Sequence, residues 1–441
     1  MKNKRFLIPI IMFIAMIMLS YFTEIDSVKI YSIGIFIIAL YMWIDGSIPI
    51  SITTILLICI MPIFNIMSFN DAINNISVNT SLFILASSGL TIAISNSNIP
   101  NYIVSRILNK TDNSKVILFC IAIVITMISG FMSSLATCTL FYGILSTSFK
   151  ESKKTNFYKI LMLLVPVCSS IGGFVSPAGT PANILIIDEL AKLGITLSFV
   201  KWFSIGFPFA IFTSLLVLLF SFFTLKPESK ISSNKKVIPL NSSDKIIVLI
   251  SFFIIFGWFL SSYISVINTT LIACLGLFVF FIPSLNILNM KKMSFQTNWD
   301  LVISMGTVSV LMVGINRSGV LNDIISYFIP KISSLNIVFI FILISLFICF
   351  LRSIIPTTTA VVTFFMPMLL TLVTSLNVNP LYFMLILGYH SACSLILIYT
   401  EPIYLITYSE NVYNEEDLLK IGLIPSIIMS IAVALLFPIL L

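Results

Sequence analysis

Three apolar runs have lengths that a plain membrane crossing does not explain. Residues 116–149, 157–190 and 337–376 are each too long for one helix through a bilayer and too short for two full ones. One crossing takes about 20 apolar residues at roughly 1.5 Å each. Backbone that leaves the helix at membrane depth must be buried in protein or line a cavity, because lipid offers its polar groups no partner. The lengths therefore predict re-entrant hairpins at 116–149 and 337–376 and a broken helix at 157–190; the Tyr399–Pro402 interruption predicts a second broken helix at 381–408. Apolar segments at about 6–22, 30–44, 48–67, 80–97, 199–225, 246–266, 269–288, 300–315 and 418–441 read as ordinary crossings. A soluble fold is excluded, since only 9% of the 441 residues are charged, against about 25% in a soluble domain. The segments are also too long for the strands of roughly 10 residues in an outer-membrane barrel.

With both hairpins returning to their own side, the chain is an all-α polytopic membrane protein of about 11 transmembrane helices. Its N-terminus is then cytoplasmic and its C-terminus outside. Lysine and arginine test this: 18 fall on the inner side and 5 on the outer, with Arg352 left inside the second hairpin. That bias follows the positive-inside rule and accounts for the net charge of +7 without nucleic acid. The cations of Met1–Arg5 and the apolar run after them resemble a signal peptide, but no small-residue cleavage site precedes Glu24. The run reads as the first crossing. Seven cysteines without a CxxC pair and the single His390 point to buried packing residues, with no disulfide framework, metal centre or cofactor.

The chain carries an internal repeat. Asn79–Leu82 aligns with Asn298–Leu301 at an offset of 219, Asn96–Leu108 with Asn316–Phe328 at 220, and Thr180 with Thr400 at 220. The hydroxyl pairs Ser133-Ser134 and Thr357-Thr358 differ by 224. Five crossings per half, an odd number, require the second copy to be inverted, the architecture of secondary transporters with substrate at the repeat interface. The expected parts are 1–78 (first helix and scaffold), 79–225 (first transport part), 226–245 (cytoplasmic linker), 246–297 (second scaffold) and 298–441 (second transport part).

Four polar interruptions carry the candidate chemistry. They are Ser129–Thr137 and Arg352–Thr359 at the hairpin tips, and Gly172–Asn183 and Tyr399–Pro402 in the broken helices. Hydroxyl caps and proline restarts would aim four positive helix ends at one site, which favours an anion. Freed carbonyls and hydroxyls can hold sodium. The plain reading of any one interruption is a kink satisfied by internal hydrogen bonds.

At these residues the chain resembles the divalent anion:sodium symporter family, which carries dicarboxylates or sulfate. The loop IGGFVSPAGTPAN (171–183) resembles the family's Gly-Thr-Pro-Pro-Asn type loop, with Ala182 where proline is usual. Residues 87–108 and 298–325 are similar as well, so the likeness covers about Asn79–Leu441. The family's Ser-Asn-Thr tip motif survives only at Ser133 in the first tip, and the second reads Thr357-Thr358-Thr359. The resemblance implies a first sodium site at Ser129, Ser133, Ser134 and the Gly179 backbone, and a second at Ser353, Thr358 and the backbone near Tyr399. It implies substrate contacts from Ser133, Ser134, Thr180, Thr357, Thr358, Thr359 and Thr400. It also implies a homodimer built on the scaffold helices.

Glu401 replaces a proline of that loop. An ionisable residue at membrane depth marks function by default. Glu401 has three readings: a proton-exchanging coupling group, a sodium ligand, or a structural partner of Arg352 or His390. Arg352 either attracts an anion or neutralises Glu401. The leading function is sodium-coupled symport of a small divalent anion by an elevator-type mechanism, with protons as the other candidate coupling ion. The nearest alternative is a sodium/proton antiporter or oxyanion efflux permease of the same superfamily. An intramembrane enzyme lacks its motifs here, having no HExxH and no Ser–His dyad. A channel fits paired broken helices less well than alternating access.

Overall fold

A computed structural model describes residues 2–231, 238–264, 266–332, 334–355 and 357–440. Residues 232–237 of the expected linker and Pro356 of the second hairpin tip lie outside the described residues. The described chain is helical throughout, in 21 α-helices with two short 3₁₀ turns.

Apart from α1 (Lys2–Phe22), the helices form two series in the same order. The first is α2 (Ser27–Asp45), α3 (Ile50–Ile60), α4 (Phe69–Asn74), α5 (Val78–Ser95), α6 (Ile99–Lys110), α7 (Ser114–Ser129), α8 (Ser134–Ser148), α9 (Asn156–Gly172), α10 (Pro181–Lys192) and α11 (Phe199–Leu225). The second is α12 (Ser242–Leu260), α13 (Thr269–Phe280), α14 (Met290–Gln296), α15 (Trp299–Arg317), α16 (Val320–Ile332), α17 (Ile337–Arg352), α18 (Thr358–Leu376), α19 (Pro380–Ala392), α20 (Pro402–Tyr408) and α21 (Glu415–Leu440).

Contacts between the series are exchanged pairwise: α5 packs on α13 while α15 packs on α3, and α10 meets α18 while α20 meets α8. Helices α5 and α15 meet each other, as do α11 and α21. Reciprocal contacts of this kind are the signature of a two-fold relation between similar halves.

Local chemistry sets these boundaries. The first helices of both hairpins start at an asparagine: Asn113 Oδ1 accepts from the amides of Lys115 and Val116, and Asn336 Oδ1 from that of Val338. The returning helix α18 starts at Thr357, whose hydroxyl accepts from the Ala360 amide. Pro181, Pro380 and Pro402 each occupy a first helical position, where the missing N–H costs nothing. Runs 116–149 and 337–376 are hairpins, and 157–190 and 381–408 are broken helices.

Two apolar runs differ from a full crossing. Residues 48–67 and 269–288 contain helices of only 11 and 12 residues, about 17 Å at 1.5 Å per residue. Both stop short of a proline, Pro62 and Pro283, which donates no backbone hydrogen bond. Among the described residues, seven helices are long and apolar enough to cross a bilayer: α2, α5, α11, α12, α15, α18 and α21.

The core lies where the broken helices meet the hairpins. Every residue of α9 from Ile160 to Gly172 is buried, as is all of α19 beyond Tyr382. Helices α1 and α12 instead expose apolar rows such as Ile10, Ile14, Phe252 and Phe256. A helix apolar around its whole circumference suits lipid or a buried position.

Candidate functional site

The first hairpin tip and the first break fold into one cluster of neutral oxygens. Ser129, the last residue of α7, donates to the Ser169 carbonyl at 2.6 Å and to Ser134 Oγ at 3.3 Å. Ser176 Oγ donates to the Gly130 carbonyl at 2.5 Å, tying the break to the tip. Asn183 reaches back from α10 and donates to the carbonyls of Gly173 (2.8 Å) and Ser176 (2.9 Å). Its Oδ1 and the hydroxyl of Thr137 are buried and have no hydrogen-bond partner among the described residues. Close approach depends on glycine: a Cβ on Gly179 would stand 2.6 Å from the Gly173 carbonyl oxygen, and one on Gly173 would stand 3.2 Å from Ser134 Oγ.

A cavity of about 740 Å³ opens beside this cluster. Ser133 and Gly179 form part of its wall, with Ser87, Ser88 and Thr91 of α5 and Thr297 and Asn298 ahead of α15. None of its lining residues is charged. The N-terminus of α10 starts at Thr180, whose hydroxyl accepts from the Ala182 amide at 3.2 Å, so a positive helix end lies at the wall next to Gly179.

The second half keeps the scaffold and changes the chemistry. Arg352 ends α17 as Ser129 ends α7, both helices being 16 residues long. Its guanidinium is buried, 1% exposed, and its bonds all go to the tip and the break. Nε donates to the Ser391 carbonyl at 3.0 Å, and Nη1 to the carbonyls of Ile355 and Thr400 at 2.9 Å each. Nη2 donates to Glu401 Oε1 in an ion pair. Of the three readings of Glu401, the structure displays the pairing with Arg352. His390 bonds elsewhere, to Ser345 Oγ at 2.7 Å.

Glu401, rather than Thr400, stands at the N-cap of α20, the position of Thr180 in the first half. The helix starts at 181 and 402 set the local offset at 221, so the structural counterpart of Thr180 is Glu401, one residue beyond the Thr400 that an offset of 220 predicts. The expectation that hydroxyls cap all four half-helices is corrected accordingly. Thr180 and Thr357 do so; Ser133 and Glu401 make no side-chain cap bond among the described residues.

The remaining expected site residues are dispersed. Thr400 Oγ1 bonds Ser394 Oγ and the Leu397 carbonyl. Thr359 is buried, its hydroxyl 3.9 Å from Met305 Sδ. Ser353 Oγ turns back to the Cys349 carbonyl at 3.1 Å, and the Tyr399 side chain is 66% exposed. Ser133 and Gly179 line the cavity; Ser129, Ser134, Thr180, Ser353, Thr357, Thr358, Thr359, Tyr399 and Thr400 do not, although Ser134 and Thr180 are sequence neighbours of residues that do.

Sequence reasoning missed Ser170 and two glycines. Ser170 Oγ donates to the Ala392 carbonyl at 2.6 Å and joins the two breaks. Gly206 of α11 lies against the Phe174 carbonyl, and Gly422 of α21 against that of Leu395. Each glycine is eight residues into its helix, a signal the repeat could have supplied.

Two series of apolar helices, each with a hairpin and a broken helix and with the breaks joined by the Ser170–Ala392 bond, have the architecture of a multi-pass secondary transporter. A model of the sodium:sulfate symporter transmembrane region matches residues 5–440, and the chain belongs to that family of membrane transporters. It is 24% identical over 405 residues to a sodium-dependent dicarboxylate transporter of Staphylococcus saprophyticus, covering 82% of this chain and 78% of the relative. It is 27% identical over 418 residues to an uncharacterised transporter of Methanocaldococcus jannaschii, covering 91% and 92%. Among solved structures, the YdaH transporter of Alcanivorax borkumensis shares the fold, with a TM-score of 0.60 at 13% identity over 84% of this chain and 88% of that one.

Proposed function

We propose that the protein is a sodium-coupled symporter of a small divalent anion, a dicarboxylate or sulfate, working by elevator-type alternating access. The observation that carries this reading is the first-half cluster. Ser129, Ser134, the unpartnered Asn183 Oδ1 and the glycine-spaced carbonyls form a group of neutral oxygens beside an open cavity. Neutral oxygens without a fixed positive charge suit a small hard cation. Bound sodium would then supply the charge that draws an anion to Ser133, Ser134 and the α10 N-terminus at Thr180. The Staphylococcus saprophyticus relative, a sodium-dependent dicarboxylate transporter, supports the same assignment.

In this reading the N-terminus is cytoplasmic and the halves are inverted. The cavity, bounded by the C-terminal turns of α5 and α8, then opens to the basic, cytoplasmic side. Residues 79–225 and 298–441 supply the moving parts; α1–α3, α12 and α13 supply the scaffold. The exposed Phe252, Phe253 and Phe256 row of α12 offers a face for a second copy in a homodimer. Glu401 is engaged with Arg352, which favours sodium over proton exchange as the driving step.

The test is uptake of radiolabelled succinate, citrate and sulfate into proteoliposomes under an imposed sodium or proton gradient. Uptake of one of these anions that follows the sodium gradient, and falls at least tenfold in a Ser133→Ala/Ser134→Ala double variant, is the expected result. Proton-driven uptake indifferent to sodium would overturn the assignment.

A further inference from the structure

We infer that the Arg352 guanidinium is a permanent, tethered substitute for a bound cation in the second half, so that this half takes up no sodium and the protein binds sodium through its first half alone. The inference rests on the sodium-coupled reading above and departs from the second sodium site that the family resemblance implies at Ser353, Thr358 and the Tyr399 backbone.

The argument is positional first. Helices α7 and α17 have equal length and equivalent asparagine caps, so Ser129 and Arg352 occupy the same place at the root of their hairpin tips. Gly179 and Thr400 likewise correspond, each two residues ahead of a restart proline. The Gly179 backbone is the part of the first-half cluster where a cation would find a carbonyl. In the second half the Thr400 carbonyl already accepts from Arg352 Nη1 at 2.9 Å, and the tip carbonyl of Ile355 accepts from the same nitrogen at 2.9 Å. A positive group is thus held between the tip and the break, by the backbone oxygens that a cation would need.

The second argument is a donor count. A guanidinium has five N–H donors and no acceptor. Four are committed: Nε to Ser391, both Nη1 donors to Ile355 and Thr400, and one Nη2 donor to Glu401. One remaining N–H cannot clamp a carboxylate or sulfate in two-point fashion, the mode for which arginine is suited. Arg352 therefore serves as a structural charge, and its role as an attractor for the transported anion is set aside.

Third, oxygens that would complete a sodium shell are engaged elsewhere. Ser353 Oγ, which the resemblance assigns to that shell, turns back along its own helix to the Cys349 carbonyl, and the Thr400 carbonyl is taken by Arg352. In the first half the buried oxygens near the tip and the break without a partner among the described residues, Asn183 Oδ1 and the Thr137 hydroxyl, are neutral, and no arginine among those residues bonds the tip or the break. In the second half Glu401 Oε2 is likewise without a hydrogen-bond partner among the described residues, but it belongs to the carboxylate that Arg352 already pairs. Glu401 completes the substitution by neutralising the fixed charge.

The experiment is equilibrium binding of ²²Na⁺ to the purified full-length protein, at saturating sodium, for wild type and two variants. Wild type is expected to bind one sodium per chain, and Ser129→Ala to lower its sodium affinity at least tenfold. Arg352→Ala vacates the guanidinium's place while Glu401 stays, so sodium stoichiometry is expected to rise from one to two. Its melting temperature should climb with sodium chloride and not with choline chloride. Two sodium ions on wild type, with Arg352→Ala unchanged or lower, would overturn the substitution and leave sodium coupling standing. No sodium binding by wild type would instead overturn the sodium-coupled reading and the inference with it. Should Arg352→Ala fail to fold, the wild-type stoichiometry still decides.

Discussion

Replacing Gly206 or Gly422 with alanine tests whether the two breaks are held open by direct backbone contact. A methyl on Gly206 would stand 2.3 Å from the Phe174 carbonyl oxygen and 2.8 Å from that of Val175. Ordinary contact needs more than about 3.2 Å, so helix α11 and the break must part by roughly 1 Å. The Phe174 carbonyl also accepts from Trp202 Nε1 at 3.0 Å, a bond worth about 1 kcal/mol that this shift would stretch. Overpacking costs about 1–3 kcal/mol, and alanine returns about 1 kcal/mol of helix propensity. The net loss for Gly206→Ala is then about 1–3 kcal/mol. Gly422→Ala should lose more, because its methyl would meet the Leu395 carbonyl oxygen at 1.7 Å. Gly143 of α8, with nothing within 4 Å of a built Cβ, provides the opposite case and should gain about 0.5–1 kcal/mol. The assay is thermal unfolding of detergent-purified protein, where such changes amount to a few degrees. The expected order of stability is Gly143→Ala, wild type, Gly206→Ala, Gly422→Ala. A Gly206→Ala or Gly422→Ala variant that melts with Gly143→Ala, above wild type, would refute the contact argument.

Further outcomes follow from individual bonds. Asn183→Leu removes two donors from the Gly173 and Ser176 carbonyls; a loss of about 2–4 kcal/mol and of sodium-dependent uptake is expected, read by melting and proteoliposome transport. Asp300 of α15 accepts from the amide and hydroxyl of Ser51 at 2.8 and 2.6 Å and so caps α3 across the two series. Asp300→Ala should cost about 1–2 kcal/mol, with Asp300→Asn recovering part of it, again by melting. Glu410, in the loop before α21, accepts from Lys153 Nζ and from the Tyr142 hydroxyl, and the Lys153 bond holds its carboxyl below the usual range. A depressed carboxyl stabilises above its ordinary pKa of about 4.3 and loses that contribution as pH falls through its lowered value. The melting difference between wild type and Glu410→Gln should therefore be present at pH 7 and shrink as pH falls below about 4. It should stay within about 1 kcal/mol, because Lys153 is partly exposed.

The large features were legible because apolar run length and proline position act locally. The runs of 34 and 40 residues at 116–149 and 337–376 had to turn back, and Pro181 and Pro402 mark where the broken helices restart. Register was harder. The second tip, between Arg352 and Thr358, is one residue longer than that between Ser129 and Ser134, so the offset between halves drifts along the chain. Residue type pairs Thr180 with Thr400 and so masks the equivalence with Glu401, and the Ser129–Arg352 equivalence rests on helix ends that unlike side chains do not mark. Contacts such as Gly206 on Phe174 join residues 32 positions apart and depend on the packing of α11 across the break, which helical periodicity does not encode.

The neutrality of the Arg352–Glu401 pair has a consequence for energetics under membrane potential. In alternating access, whatever charge is built into the moving part is displaced through the field on every stroke, loaded or empty. An unpaired arginine carried across the whole membrane would add about 2.3 kcal/mol per 100 mV to one stroke and subtract it from the other. With Glu401 bonded to it, the pair contributes no net gating charge. Only solutes, and the first-half cations that accompany them, would then report voltage. The return of the empty carrier should be electrically silent, and that silence would be lost on replacing Glu401 alone.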